Sequence, residues 1–236
     1  MNEILCCRDL TKIYENGRPA IDNLNLNLNA GRIIGLLGPN GSGKTTLIKM
    51  ICGLLVPTSG ALFVDGMPVG PFTRALISYL PDQTYLNHWM RVDQIIDYFA
   101  DFYADFDMRR AYDMLAGLGI DPRQKLKTLS KGNREKVQLI LVMSRHARFY
   151  VLDEPIAGVD PAARDYILHT IVSNVDSGAT VLLSTHLIAD VEGILQEALF
   201  LQNGRIALYD STENIRNREG KSVDELFREV YRCWGN

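Results

Sequence analysis

The chain has 236 residues, 47% hydrophobic and 22% charged, a composition suited to one globular domain or to a core carrying an inserted subdomain. Its net charge of −3 comes with dispersed basic residues, which excludes an electrostatic footprint for nucleic acid; no nucleic-acid partner is expected. No apolar run approaches the ~18 residues needed to span a bilayer, and "MNEILCCRDL" lacks the charged and apolar regions of a secretory leader.

The four cysteines, Cys6, Cys7, Cys52 and Cys233, show neither metal-ligand spacing nor a pairing signature and read as free thiols. "NLNLNLNA" (23–30) alternates at period two, so Leu24, Leu26 and Leu28 are expected to face a core from a half-exposed strand. "RIIGLL" reads as a buried strand that runs into a glycine-rich loop, and "TTLIKMICGLL" as the helix after it. "ALFVDG" and "ALISYLP" are two further predicted strands. The spacing of Val92, Ile95, Ile96, Phe99, Phe102 and Tyr103 predicts a helix over 91–106 with those residues inward. "MRRAYDMLAGLGI" and "KGNREKVQLILVMSRH" predict two more helices, and "VQLILVM" is expected to be a core segment. After this helical block come the strand "RFYVLDEP", a helix following "DPAARD" and the strand "ATVLLSTH". A hairpin "ALFLQNGRIAL" is expected to turn at Asn203-Gly204. "SVDELFREVYRCW" closes the order as an amphipathic helix. Interleaved strands and helices argue for a mostly parallel sheet.

"GPNGSGKT" (38–45) fits G-x-x-x-x-G-K-[ST] at every fixed position, between a strand and a helix. The loop of Gly38, Pro39, Asn40, Gly41, Ser42 and Gly43, with Thr46 after it, would turn its backbone N–H groups (Pro39 has none) onto phosphate oxygens, aided by the helix dipole. Lys44 is expected to reach the β- and γ-phosphates of ATP, and the Thr45 hydroxyl to ligate Mg²⁺. "FYVLDEP" is an apolar strand that ends in two acids. Alone they would read as solvated carboxylates; a phosphate loop in the same chain makes Asp153 a Mg²⁺ contact and Glu154 a base for the attacking water. "STH" ends another strand, where His186 is placed to hold the γ-phosphate or the water. His88, His146 and His169 lack such a context and read as structural. In "LSKGNREK", Ser130 and Gly132 precede a helix, an arrangement that favours a second anion.

Phosphate loop, "LSKGN", "VLDEP", "GVDP" and "STH" occur in the order of the ATP-binding-cassette (ABC) ATPases, and the chain resembles that family over nearly its whole length. The resemblance implies an α/β P-loop core (1–83 and 148–210) with an antiparallel β portion, an inserted helical subdomain (84–147) and a C-terminal helical tail (211–236). It implies Tyr14 stacking on adenine, and Ser130 and Gly132 touching the γ-phosphate held by a second copy or homologous ATPase subunit. It also implies Asp160 linking the two sites and His186 acting as the switch histidine. A separate transmembrane permease subunit would dock on the aromatic helical surface at the inner face of the cell membrane. Two departures stand out: Lys131 and Asn133 replace the usual glycine and glutamine, and Asp82 stands where glutamine is usual, with Gln83 beside it. Either Asp82 holds Mg²⁺ or its water, adding negative charge near the γ-phosphate, or Gln83 takes that place through a local shift. The "YLPD" and "LSKGN" variants are similar to drug- or peptide-exporter ATPases. The rival readings are a soluble ABC-type ATPase of Fe–S assembly, DNA repair or translation, and an unrelated P-loop kinase. Against the first, the chain shows neither the long insertions of DNA-repair relatives nor the paired cassettes of translation relatives; the second requires the later motifs to be accidental.

Overall fold

A computed structural model describes residues 3–15 and 17–232, so the reading of Cys233 falls outside the described residues. The chain begins with β1 (Glu3–Ile13), β2 (Pro19–Asn29), β3 (Ile33–Leu37), α1 (Lys44–Ile51), β4 (Ser59–Val64), β5 (Met67–Pro68), α2 (Pro71–Leu76) and β6 (Ile77–Leu80). Three helices follow: α3 (Val92–Phe102), α4 (Met108–Gly117) and α5 (Lys131–Met143). The second half alternates β7 (Phe149–Asp153), α6 (Pro161–Asn174), β8 (Thr180–Thr185) and α7 (Ile188–Val191). It ends with β9 (Glu197–Gln202), β10 (Arg205–Ser211), α8 (Thr212–Glu219) and α9 (Val223–Arg232).

Two sheets form. An antiparallel sheet has the order β2-β1-β4-β5; a larger one has the order β10-β9-β3-β8-β7-β6, parallel except for the β9–β10 hairpin. The hairpin turns at Asn203 and Gly204, both with positive φ (47° and 76°), the pairing that a two-residue type I′ turn demands. Central strands of the parallel sheet are buried on both faces, which is why they read as continuous apolar runs. In β7, Phe149 and Val151 pack toward the antiparallel sheet and α1, while Tyr150 and Leu152 pack toward α5, α6 and α9. Leu24, Leu26 and Leu28 of β2 are all buried, in keeping with the period-two pattern.

A third cluster joins α3, α4 and α5. Helix α5 serves two cores: Val137, Ile140 and Leu141 join this cluster, and Leu139, Val142 and Met143 join the sheet core. Arg145, just beyond α5, ties the block to the sheet. Its guanidinium donates to the Asp105 carboxylate (3.0 Å), to the Ile77 carbonyl (2.6 Å) and to the Ala75 carbonyl (2.6 Å), with the Tyr103 ring 4.0 Å away. A buried cation is tolerated because its donors are spent on a carboxylate and carbonyls.

Three local expectations need correction. "ALISYLP" is not strand throughout: Ala75 and Leu76 end α2, and the strand starts at Ile77. Proline at the first helical position and Thr73, whose hydroxyl accepts the Gly70 N–H at 2.9 Å, start that short helix. Helix α3 stops at Phe102, not 106. Phe102 is 68% exposed and stacks on Tyr98 (centroids 6.1 Å apart) instead of entering the core.

Asp107 caps α4, accepting the Arg110 N–H at 2.9 Å. That bond, with the nearby Arg110 and His146 charges, holds its carboxyl below the ordinary value near 3.8 despite some desolvation. A depressed folded pKa means the stabilisation is complete above the unfolded value and lost as pH falls through the lower folded one. Asp107→Ala should therefore cost about 1 kcal/mol at neutral pH, read from urea unfolding, with the gap to wild type closing below about pH 4. An equal gap at pH 2 would mean lost packing and not a lost cap.

Candidate functional site

Three neighbouring strands of the parallel sheet present their C-terminal ends together. Leu37 at the end of β3 pairs with Thr185 of β8, and Ser184 pairs with Asp153 at the end of β7. The 38–46 loop, Asp153-Glu154 and Ser184-His186 thus leave the sheet at one edge, where ligands of α/β sheets gather.

The loop is held by backbone contacts that leave no room for side chains. A Cβ on Gly43, whose φ is 110°, would lie 2.4 Å from the Ala20 carbonyl, and one on Gly38 would lie 2.5 Å from the Leu201 carbonyl. Gly204 of the β9–β10 turn donates to the Ser42 carbonyl at 2.9 Å and so braces the loop from outside. Pro39, Asn40 and Gly41 form the exposed rim. Ser42 is buried, and its hydroxyl has no hydrogen-bond partner.

Lys44 begins α1 and is 6% exposed. Its ammonium donates to the Gly38 carbonyl (2.7 Å) and the Pro39 carbonyl (3.3 Å), and lies 3.7 Å from a Glu154 oxygen. Burial lowers its pKa, opposed by the Glu154 and Asp153 charges. Asp153 is fully buried. Ser184 donates to its Oδ1 at 2.6 Å, the Thr45 hydroxyl lies close enough to favour the ionised carboxylate, and Oδ2 has no partner. Burial raises its pKa, the two hydroxyls lower it, and the charges of Asp82 and Glu154 raise it further.

Glu154 adopts φ of 50°, a costly conformation for a residue with a side chain. Its N–H is bound by the Ser184 carbonyl and hydroxyl, both at 3.1 Å. The turn aims its carboxylate at His186, whose Nδ1 is 3.0 Å away. Ser184 therefore positions both acids; the sequence reading passed over it although it stands in "STH". Tyr14 is exposed, its hydroxyl 3.3 Å from that of Thr46, beside an open cavity of about 670 Å³ that also takes in Gly41 and Arg205.

The donor set fits a Mg²⁺ nucleotide. An orphaned carboxylate oxygen on Asp153, the Thr45 hydroxyl and the nearby Asp82 supply the oxygen ligands that a hard cation prefers. The N–H-lined loop and Lys44 supply the complement to phosphate. Asp82 and Gln83 are both exposed on the loop after β6, and Gln138 of α5 donates to the neighbouring Pro81 carbonyl at 3.4 Å.

Ser130 and Gly132 are not gathered into this cluster by any hydrogen bond. Ser130 caps α5, accepting the Asn133 N–H at 3.2 Å, and a Cβ on Gly132 would meet nothing within 4 Å. Lys131 is exposed and pairs weakly with Glu135 (3.8 Å). Asp160 is exposed in the turn before α6, its carbonyl accepting the Arg164 N–H at 3.1 Å.

Residues 21–157 match the family model described as ABC transporter. The chain is 32% identical over 209 residues to the ABC transporter ATP-binding protein YhaQ of Bacillus subtilis, covering 86% of this chain and 70% of that one. It is 30% identical over 234 residues to the lipopolysaccharide export system ATP-binding protein LptB of Escherichia coli, covering 93% and 95%. A solved ATP-binding subunit of an ABC transporter superposes with a TM-score of 0.86 at 29% identity, over 96% of this chain and 99% of that one.

Proposed function

The chain belongs to the ABC transporter family as an ATP-binding, ATP-hydrolysing subunit, and from that premise we propose that it powers export of a drug, peptide or lipid-like substrate through a separate transmembrane permease subunit. The observation that carries the ATPase chemistry is the convergence of Lys44, Asp153, Glu154 and His186 at one sheet edge. The export assignment draws on likeness to LptB, named for lipopolysaccharide export.

In this reading the 38–46 loop binds the phosphates of ATP, Tyr14 stacks on the adenine, and Thr45 and Asp153 hold Mg²⁺ with Asp82 beside it. The cation, when bound, supplies charge neutralisation at the β- and γ-phosphate oxygens. Glu154 takes a proton from the attacking water, and His186 keeps that carboxylate aimed while facing the γ-phosphate. Two subunits close on two nucleotides, with Ser130, Gly132 and Asp160 of each facing the other's site. Loss of the γ-phosphate removes the preference for the closed state. The discontinuous core would comprise 1–83 and 148–210, the helical subdomain 84–147 and the tail 211–236.

The proposed docking face is a groove of about 910 Å³ between the β6 loop and α3. Trp89, Tyr98 and Phe102 line it and are 68%, 58% and 68% exposed. Such a large apolar patch on a folded surface marks an interaction site. No helix among the described residues is long and apolar enough to cross a membrane; the proposal gives the transport pathway to the permease and seats the chain against it at the inner membrane face. Affinity purification from gently solubilised membranes should bring down a polytopic membrane protein in stoichiometric amount. The variant Trp89→Ala/Phe102→Ala should lose it while keeping ATP binding. Stoichiometric capture of a soluble protein instead, with no membrane protein, would overturn the transporter coupling.

A further inference from the structure

The turn at 158–160 and the histidine-bearing end of β8 belong to separate elements, and one side chain joins them. Arg164, in the first turn of α6, donates through Nε to the Val159 carbonyl at 3.0 Å and through Nη1 to Asp190 Oδ2 at 2.7 Å. Its own N–H closes on the Asp160 carbonyl. Asp190 lies in α7, the helix that begins two residues after His186. His186 in turn lies 3.0 Å from Glu154. A path therefore runs from the turn through the two polar contacts of Arg164 to Asp190, back along the chain from α7 to His186, and by the His186 contact to the acid proposed as the base.

The far end of this path is anchored. Glu192 accepts the N–H groups of Val223 (3.0 Å) and Asp224 (3.3 Å) at the start of α9, and Arg216 pairs with it at 3.2 Å. Ile188 and Val191, the two ends of α7, are themselves buried. A shift of the turn is thus passed to the short α7 segment, which has little freedom to absorb it elsewhere. The Arg164 side chain is 24% exposed and that of Asp190 37%, so solvent screens the pair in part and its role is directional more than energetic.

We propose that Arg164 is a positioning residue that couples the 158–160 turn to His186, holding the histidine beside Glu154 in its hydrolysing geometry when a second subunit engages the turn. The inference rests on the two-subunit reading given above. A guanidinium suits the task because it binds a carbonyl and a carboxylate in two fixed directions at once; an ammonium at the same place offers one compact charge.

The test compares steady-state MgATP hydrolysis, ATP affinity and thermal stability in full-length wild type, Arg164→Ala, Arg164→Lys and Asp190→Asn. Arg164 touches neither the 38–46 loop nor Tyr14. Arg164→Ala should therefore lower kcat about 3- to 30-fold, the range of coupling mutations distant from both ligands, with ATP affinity and Tm close to wild type. Asp190→Asn, which keeps the Val159 contact, should lower kcat in the same direction and stands in if Arg164→Ala folds poorly. Arg164→Lys should recover part of the loss. A kcat within twofold of wild type in both Arg164→Ala and Asp190→Asn overturns the proposal, as does a kcat loss matched by an equal loss of ATP affinity. A wild-type chain that binds no ATP overturns the ATPase reading, and the coupling with it. Active wild type beside unaffected variants overturns the coupling alone.

Discussion

Lys44→Ala should abolish ATP turnover, lowering kcat/KM by about 10³-fold, while the nucleotide-free chain keeps its fold. The rate expectation follows from geometry. The ammonium sits at the start of α1, inside the loop, and is buried, donating to the Gly38 and Pro39 carbonyls with the Glu154 and Asp153 carboxylates nearby. Those carbonyls hold it where phosphate oxygens would replace them as partners. Removing a preorganised donor from a site of developing charge costs ~10²–10³ in rate, and here a full positive charge goes with it. The stability expectation follows from burial. Desolvation lowers the pKa of Lys44, the signature of a charge held at a cost to the fold. Losing it removes that cost together with two charge-assisted hydrogen bonds and the Glu154 pairing; these oppose one another, so Tm should move by only a few degrees. Lys44→Arg should fail as well, because the planar fork is too large for a pocket that leaves the side chain 6% exposed. Phosphate release assays and calorimetric ATP titration read both effects. Near-normal steady-state hydrolysis by Lys44→Ala would contradict the assignment of this lysine.

How much of this was legible in the sequence depends on what each residue's pattern encodes. Strands buried on two faces announce themselves: the 149–152 run of β7 and the 181–183 run of β8 are apolar and stop at polar tips, so their existence and ends could be read directly. The sheet order could not, because β3 lies between β8 and β9, and that pairing is set by long-range packing with no local mark. The six-residue α2 is too short to show a period and was absorbed into the strand after it. Its only signals were Gly70, Pro71 and Thr73. Phe102 fitted the α3 spacing, yet it lies at the last turn, where the i, i+4 partner Tyr98 offers a stacking surface outside the core. At the site, motifs named the residue types, while the register between β7 and β8 brought Ser184 against Asp153. Nothing in the "STH" motif distinguishes a serine that braces two carboxylates from one that caps a strand. Arg164 was invisible for a related reason: a lone arginine after "DPAA" reads as helix surface until its partner on α7 is known.

Glu154→Gln should yield a chain that binds ATP, hydrolyses it about 10²- to 10⁴-fold more slowly, and accumulates as a nucleotide-bound dimer. Glutamine keeps the shape of the side chain, and the unusual backbone at φ 50° is held by the two Ser184 contacts, which the substitution leaves in place. What disappears is the charge. The amide cannot take a proton from water, and it removes a negative group 3.7 Å from Lys44. Phosphate binding should therefore persist or tighten while chemistry stops. If the γ-phosphate is what favours the closed pair, a chain that cannot remove it stays closed. Moving the equilibrium from 1:99 to 99:1 takes about 5.5 kcal/mol of differential binding, which the proposed contacts of both subunits to two γ-phosphates would have to supply. Light scattering at saturating MgATP should show a monomer without nucleotide and a dimer with it. Wild type should return to monomer as ATP is consumed, and Lys44→Ala/Glu154→Gln should remain monomeric throughout because the phosphates are no longer held. That ordering separates binding from hydrolysis: dimerisation must track the lysine, and reopening must track the glutamate. A Glu154→Gln chain that stays monomeric with ATP bound would mean that the two nucleotides alone do not close the pair, and that closure requires the membrane subunit docked against Trp89 and Phe102.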